Sequence, residues 1–280
     1  MKYYALFNPI AGNNKGEEQA KTLTKFYDES AIEFVDLTTI ESYADFIAKL
    51  NDDDAIVVCG GDGTLNRFIN QTVGIDIKQN LLYYACGTGN DFYKEVGSED
   101  NSPVDLKQYI KNLPTVTVNG KEYKFINGVG FGIDGYCCEK GDELREKKVK
   151  KINYTAIAIK GCFFHYKKSK ATVIVDGVEY NFKHVWLAPA MFGKYYGGGM
   201  IPTPHQVRNS DKISVLVFHC FSKIKTLLIF SKIFKGEHIK HKKNIFELSG
   251  KNITVKFDKP RSLQIDGETI KNVTEYSATV

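Results

Sequence analysis

The chain is short of the features that mark several common classes of protein. Its six cysteines, Cys59, Cys86, Cys137, Cys138, Cys162 and Cys220, form no CxxC pair, which argues against a zinc ribbon or a thioredoxin-type motif. Several lie in apolar runs, where a thiol packs as a small hydrophobe. A reduced, cytoplasmic protein without structural zinc is expected. The histidines show no metal-ligand spacing. No uninterrupted apolar run approaches the ~20 residues of a membrane span, and the apolar part of Met1–Pro9 is too short for a secretory leader. Any membrane contact is therefore expected to be peripheral. The glycine turn at 60–63 fits neither the GxxxxGKS/T phosphate loop nor the GxGxxG dinucleotide fingerprint. There is no internal repeat or low-complexity segment, and no recognised nucleic-acid module or stacking-aromatic pattern.

What is present is ordinary globular material, 280 residues with 42% hydrophobic and 25% charged side chains. The net charge of +5 is unevenly placed, −8 over residues 1–118 and +13 over residues 119–280. That asymmetry suggests two domains, the second facing something anionic, either nucleic acid or a membrane surface.

The chain is organised around Ala55–Asn66, Ala-Ile-Val-Val-Cys-Gly-Gly-Asp-Gly-Thr-Leu-Asn. A β-branched apolar run reads as a strand buried on both faces. It breaks at Gly60-Gly61-Asp62-Gly63, and Leu65, Phe68 and Ile69 then recur at helical spacing. Glycines there would permit positive φ and let an anion approach bare backbone amides, while the helix N-terminus adds partial positive charge. Asp62 would repel phosphate unless a divalent cation lay between them, and Mg²⁺ held by one carboxylate plus phosphates is the usual arrangement. The plain alternative is a tight turn of an α/β crossover.

Over residues 1–112 strands alternate with helices. Strands are expected at Tyr3–Phe7, Ile32–Leu37 and Leu81–Cys86, and helices near Gly16, after Thr38, and over 64–72. Thr38 and Glu41 have capping-box spacing. This is the pattern of a doubly wound parallel sheet, whose ligands bind beyond the carboxyl ends of the strands. The loops at 8–14, 38–39, 60–64 and 87–91 all fall at such ends. Beyond Pro114 the texture becomes antiparallel β, with strands expected at 115–118, 122–126, 171–175, 178–188, 213–219, 253–257 and 262–265. Asp176-Gly177 is a hairpin signal, and helices are expected at about 141–164 and 222–235. The division is a doubly wound α/β domain over 1–118 and a β-rich, sandwich-like domain over 119–268. The final strand, 269–280, is left open to complete the first.

Gly60-Gly61-Asp62-Gly63-Thr64 followed by Gly87-Thr88-Gly89-Asn90-Asp91-Phe92 resembles the diacylglycerol kinase catalytic domain of soluble bacterial lipid kinases. Asn8-Pro9-Ile10-Ala11-Gly12, Tyr195-Tyr196-Gly197-Gly198-Gly199-Met200-Ile201-Pro202 and Ile265-Asp266-Gly267-Glu268 are similar to further segments of that family, in order along nearly the whole chain. The resemblance implies an ATP- and Mg²⁺-dependent kinase acting on a lipid hydroxyl, foremost that of diacylglycerol, with a nucleotide-binding, NAD kinase-like domain over 1–118 and a lipid-substrate domain over 119–268. It implies that ATP is held by Asn8, Pro9, Ile10, Ala11 and Gly12, by Thr38 or Thr39, by Gly60, Gly61, Asp62, Gly63, Thr64, Leu65 and Asn66, and by Thr88, Asn90 and Asp91. Asp62 would act beside the metal and Asp266 would be the base. Glu268, two residues on in a strand, would point the same way as Asp266; a plain β-turn is the other reading of Asp266-Gly267-Glu268.

One departure is that Asn209-Ser210-Asp211-Lys212 lacks the aspartates with which the family builds a second-domain structural metal site. The basic tract Arg145–Lys151 reads either as a solvated helix face or as a headgroup-docking segment. The expected partner is a lipid at an anionic membrane surface, reached peripherally during turnover. A homodimer is left open and nucleic acid is not expected. The competing functions are a NAD kinase-like enzyme, which Gly89-Asn90-Asp91 disfavours, a non-catalytic nucleotide- or lipid-binding homologue, and a nucleic-acid binder.

Overall fold

The computed structural model describes residues 1–87, 89–147, 149 and 152–280, the side chains of Asn13 and Thr155 excepted. Two compact units are present, Met1–Asn112 and Leu113–Val280. No helix among the described residues is long and apolar enough to cross a membrane.

In the first unit the order is β1 (Tyr3–Phe7), α1 (Ala11–Asn14), α2 (Gly16–Lys21), β2 (Ile32–Asp36), α3 (Tyr43–Ala48), β3 (Ala55–Gly60), α4 (Asp62–Gln71), β4 (Asn80–Ala85), α5 (Asp91–Val96), β5 (Val104–Asp105) and α6 (Lys107–Ile110). The sheet runs β2-β1-β3-β4-β5. The first four strands are parallel and β5 is a short antiparallel edge. β3 lies centrally because every residue from Ala55 to Gly60 is apolar and buried. On one face Ala20 and Leu23 pack against Ala5, Phe7, Val57 and Cys59. The N-cap expected of Thr38 belongs instead to Ser42, whose hydroxyl accepts the Asp45 amide. Thr38 and Glu41 lie before that helix, in a 3₁₀ turn over Leu37–Thr39 and the residues after it. Because β1 and β3 are adjacent while β2 lies outside β1, strand order reverses between them. The crevice beyond their carboxyl ends is the ligand position of this topology.

The second unit contains β6 (Thr115–Val118), β7 (Lys121–Lys124), β8 (Gly128–Phe131), α7 (Ile133–Glu146), α8 (Tyr154–Lys160), β9 (Ser169–Val175), β10 (Val178–Leu187), β11 (Ala190–Met191), β12 (Ile213–His219), α9 (Lys223–Phe230), β13 (Ile245–Gly250), β14 (Asn252–Ile265) and β15 (Glu268–Thr279). The strands run β7-β6-β15-β14-β8-β11-β12-β10-β9, with β13 on β12. Because β9 also pairs with β14, six of them close into a ring, which removes edges open to strange strands. Thr115–Val118 pairs with β15, and β15 pairs with β14, all within this unit. The helix expected over 141–164 is two, α7 and α8, the second running into a π-turn at Gly161–His165. The two strands expected at 253–257 and 262–265 are one, whose register slips between Lys256 and Arg261. Trp186, Leu216, Phe218, Ile229, Ile233 and Ile245 centre a core that Cys137, Cys162 and Cys220 help to fill.

Candidate functional site

The rim of the first unit is built by close contact between turns. Asn8 closes the β1 loop, its carbonyl accepting the Ala11 amide at 3.1 Å and its Oδ1 the Ile10 amide at 3.2 Å. Helix α2 begins against that loop. A Cβ on Gly16 would lie 1.8 Å from the Asn8 oxygen, so only glycine fits. Gly12 takes φ +57°. Gly60, Gly61 and Gly63 do not have the positive φ expected of them. Gly60 and Gly61 are explained by proximity: a Cβ on Gly60 would meet the Thr64 hydroxyl at 2.6 Å, and one on Gly61 the Gly89 oxygen at 2.6 Å. From the other side, a Cβ on Gly87 would lie 2.4 Å from the Gly61 nitrogen.

Asp62 fastens the same two turns. Its amide donates to the Gly89 oxygen at 2.8 Å, and its carboxylate accepts the Asp91 and Phe92 amides at 2.7 and 3.0 Å. A carboxylate placed there meets the positive end of α5. Thr64, Asn66 and Asp91 are buried beside it. Leu65, grouped by sequence with the nucleotide ligands, puts its side chain wholly in the core, while its amide closes the first turn of α4 onto the Gly61 oxygen. Asn66 Oδ1 accepts from Asn70. Asn90 donates to the Gly87 oxygen at 2.9 Å; its Oδ1 is buried without a hydrogen-bond partner among the described residues. Tyr83 donates to the Gly60 oxygen, and burial pushes its phenol far above the usual range. Thr38 has both amide and hydroxyl committed to Asp36 Oδ1, at 2.8 and 2.7 Å, and the Thr39 hydroxyl donates to the Asp36 carbonyl. Thr88 lies outside the described residues.

In the second unit Asp266 and Gly267 form the two-residue turn between β14 and β15, with φ of +46° and +99°. Asp266 is therefore in a turn, where strand alternation does not operate. It is buried while Glu268 is exposed, so the two do not point the same way. The Asp266 carboxylate accepts the Ile126, Asn127 and Gly128 amides at 2.7, 2.9 and 2.9 Å. Arg208 steadies that segment through the Ile126 carbonyl and Asn127 Oδ1.

A carboxyl not singled out from sequence is Asp134, in the first turn of α7. It accepts the Gly135 amide at 3.0 Å and the Tyr196 hydroxyl at 3.3 Å. Burial pushes its pKa up to about 6. Gly130 leaves it room, since a Cβ there would lie 2.1 Å from Asp134 Oδ2. Its signal was only an acid opening a helix after a glycine-rich strand. Tyr196 is buried, and Gly197, Gly198 and Gly199 all take positive φ in the loop that returns from it to Met200. In the basic tract, Lys148, Lys150 and Lys151 lie outside the described residues. Asp211, in the altered 209–212 segment, pairs with Lys251 at 3.5 Å.

Residues 2–119 match the family model described as the diacylglycerol kinase catalytic domain, and residues 127–279 match the YegS C-terminal NAD kinase beta sandwich-like domain. A diacylglycerol kinase of Mycobacterium tuberculosis is 23% identical over 252 residues, covering 85% of this chain and 80% of that protein. The crystal structure of a diacylglycerol kinase from Bacillus anthracis superposes with a TM-score of 0.62 at 19% identity, covering 99% of this chain and 93% of that one. At that identity the likeness is one of fold.

Proposed function

This chain belongs to the family of diacylglycerol kinase catalytic domains joined to a β-sandwich-like domain, and from that premise we propose that it is an ATP- and Mg²⁺-dependent lipid kinase. The acceptor is the hydroxyl of a membrane lipid, diacylglycerol, which becomes phosphatidic acid. The observation that carries the reading is the interlock of the turn at 60–64 with Gly87 and with residues 89–91. These residues lie beyond the carboxyl ends of adjacent strands and open onto the N-terminus of the ten-residue helix α4. Such an end attracts phosphate, and Asn90 Oδ1 is an acceptor buried without a donor among the described residues.

The same residues fit a divalent cation. Carboxylate oxygens accept at two positions each, so the Asp62 bonds to Asp91 and Phe92 are compatible with a metal, and Asn90 Oδ1 adds a neutral oxygen. Asp62 and Asn90 would hold Mg²⁺, which when bound offsets the charge of the phosphates. The acceptor oxygen attacks the γ-phosphorus and the bond to the bridging oxygen breaks. ADP leaves, and the hydroxyl proton passes to the Asp266 carboxylate, held in orientation by three amides.

The test is γ-labelled ATP supplied with diacylglycerol in mixed micelles or with NAD in solution. Label in a chloroform-soluble phosphomonoester is expected. Label in NADP, or ATP binding with no transfer to any lipid of a total extract, would overturn the reading.

A further inference from the structure

The second unit carries an exposed apolar patch of a kind that soluble surfaces rarely keep. Phe164 is 78% exposed, Phe221 75%, Ile224 68% and Leu228 65%, with Phe163 beside Phe164. Isolated exposed apolar residues are ordinary, but a contiguous group marks an interaction site. These are contiguous by construction. The Lys223 ammonium donates to the Phe163 carbonyl at 2.6 Å, tying the start of α9 to the π-turn after α8. Lys168 donates to the Phe221 carbonyl at 2.6 Å and lies 4.4 Å from the Phe221 ring centre. Ile224 and Leu228 are one turn apart on the face of α9 opposite the buried Thr226 and Ile229.

The segments that carry the patch are charged with one sign. Residues 147–175 and 212–236 contain no Asp or Glu. Lys160, Lys225, Lys232 and Lys235, all within those segments, are exposed. A cavity of about 520 Å³ adjoins it at His165, lined by Tyr136, Leu144 and Ile157 and by Lys140 and Lys160 with Glu143.

We propose that this aromatic and aliphatic patch, with the lysines of its segments, is the surface through which the protein docks on an anionic lipid bilayer. The proposal rests on the reading of the acceptor as a membrane lipid and assigns the face that meets the membrane. Exposed rings and aliphatic side chains enter the boundary between headgroups and acyl chains while the lysine ammoniums stay at the phosphates. A second copy of the chain would bring like charges together.

The experiment is flotation of the full chain, without ATP, on vesicles of phosphatidylcholine alone or with about 30% phosphatidylglycerol, an anionic level typical of charged leaflets. The wild type is expected to float with the anionic vesicles. Phe164→Glu combined with Leu228→Glu should lower partitioning at least tenfold, and Lys225→Ala about fivefold. Phe164→Trp, conservative in shape, should shift its emission to the blue when vesicles are added, against the constant signal of the buried Trp186. Phosphorylation of a short-chain diacylglycerol dissolved as monomer should be unchanged in the double variant, so loss of docking and loss of chemistry are read separately. Wild type that ignores anionic vesicles, a double variant that floats as wild type, or a wild-type dimer that the double variant splits would each overturn the assignment.

Discussion

Asp62→Asn tests whether this carboxylate is part of the fold as well as of the proposed chemistry. Its two oxygens accept the Asp91 and Phe92 amides at 2.7 and 3.0 Å, and the side chain is 9% exposed. Asparagine keeps one acceptor and turns an NH₂ group toward the other amide, setting donor against donor. A hydrogen bond to a charged group contributes about 1.5–3 kcal/mol, and a buried donor left without a partner costs about 1–3 kcal/mol. A loss of roughly 2–4 kcal/mol is therefore expected without any nucleotide present. At about 2–4 °C per kcal/mol for a chain of this size, calorimetry should show the first unfolding transition lowered by roughly 4–16 °C. Asp62→Ala, which frees both amides, should do at least as much. A carboxylate serving only to face metal and phosphate would behave oppositely, since removing it relieves local repulsion. An unliganded Asp62→Asn protein that melts within about a degree of wild type, or above it, refutes the reasoning.

Gly87→Ala should separate the two interlocked turns, because its methyl would lie 2.4 Å from the Gly61 nitrogen; ATP binding by calorimetry should fall at least tenfold, and unaltered affinity would contradict the proximity argument. Asp266→Asn keeps an acceptor for part of the 126–128 segment and should leave a folded protein by circular dichroism while lipid phosphorylation falls on the order of 10²–10⁴-fold. Asp134 has its pKa raised above the unfolded value, to about 6. Its contribution is therefore fully present below about pH 4 and lost as pH rises through about 6, a penalty of roughly 3 kcal/mol above that. Asp134→Asn should accordingly raise the free energy of urea unfolding at pH 8 and change it little at pH 4, and equal effects at both would refute the burial argument.

Where local preference and tertiary need agreed, sequence placed the elements well. Tyr3–Phe7 and Ile213–His219 are strands with those bounds because runs buried on both sides carry their own signal. β8 escaped because Gly128-Val129-Gly130-Phe131 has two glycines, poor strand formers locally, whose bareness is demanded by Met191 and Asp134. β14 was divided at Asp258-Lys259-Pro260, yet a strand tolerates proline where its ladder slips. The glycine turns were found for partly the wrong reason, since Gly60 and Gly61 lack the positive φ expected of them and owe their bareness to the close approach of Thr64 and Gly89. Asp266 was identified from its segment, but its grip on Ile126, Asn127 and Gly128 spans 138 to 140 positions and has no local mark. The same is true of Asp134 and Tyr196, 62 positions apart.

The six-stranded ring has a consequence for a chain emerging from the ribosome. β14 is the neighbour of both β8 and β9, and β15 is the neighbour of β6, so these three strands, paired on one side with β11, β10 and β7, wait for residues 252–279 to be paired on the other. Such distant pairing is slow, and until it happens the nascent second unit presents raw strand margins to its surroundings. Chaperones would meet it in that interval, and a chain stalled or clipped shortly before β14 would be a seed for aggregation rather than a smaller working protein.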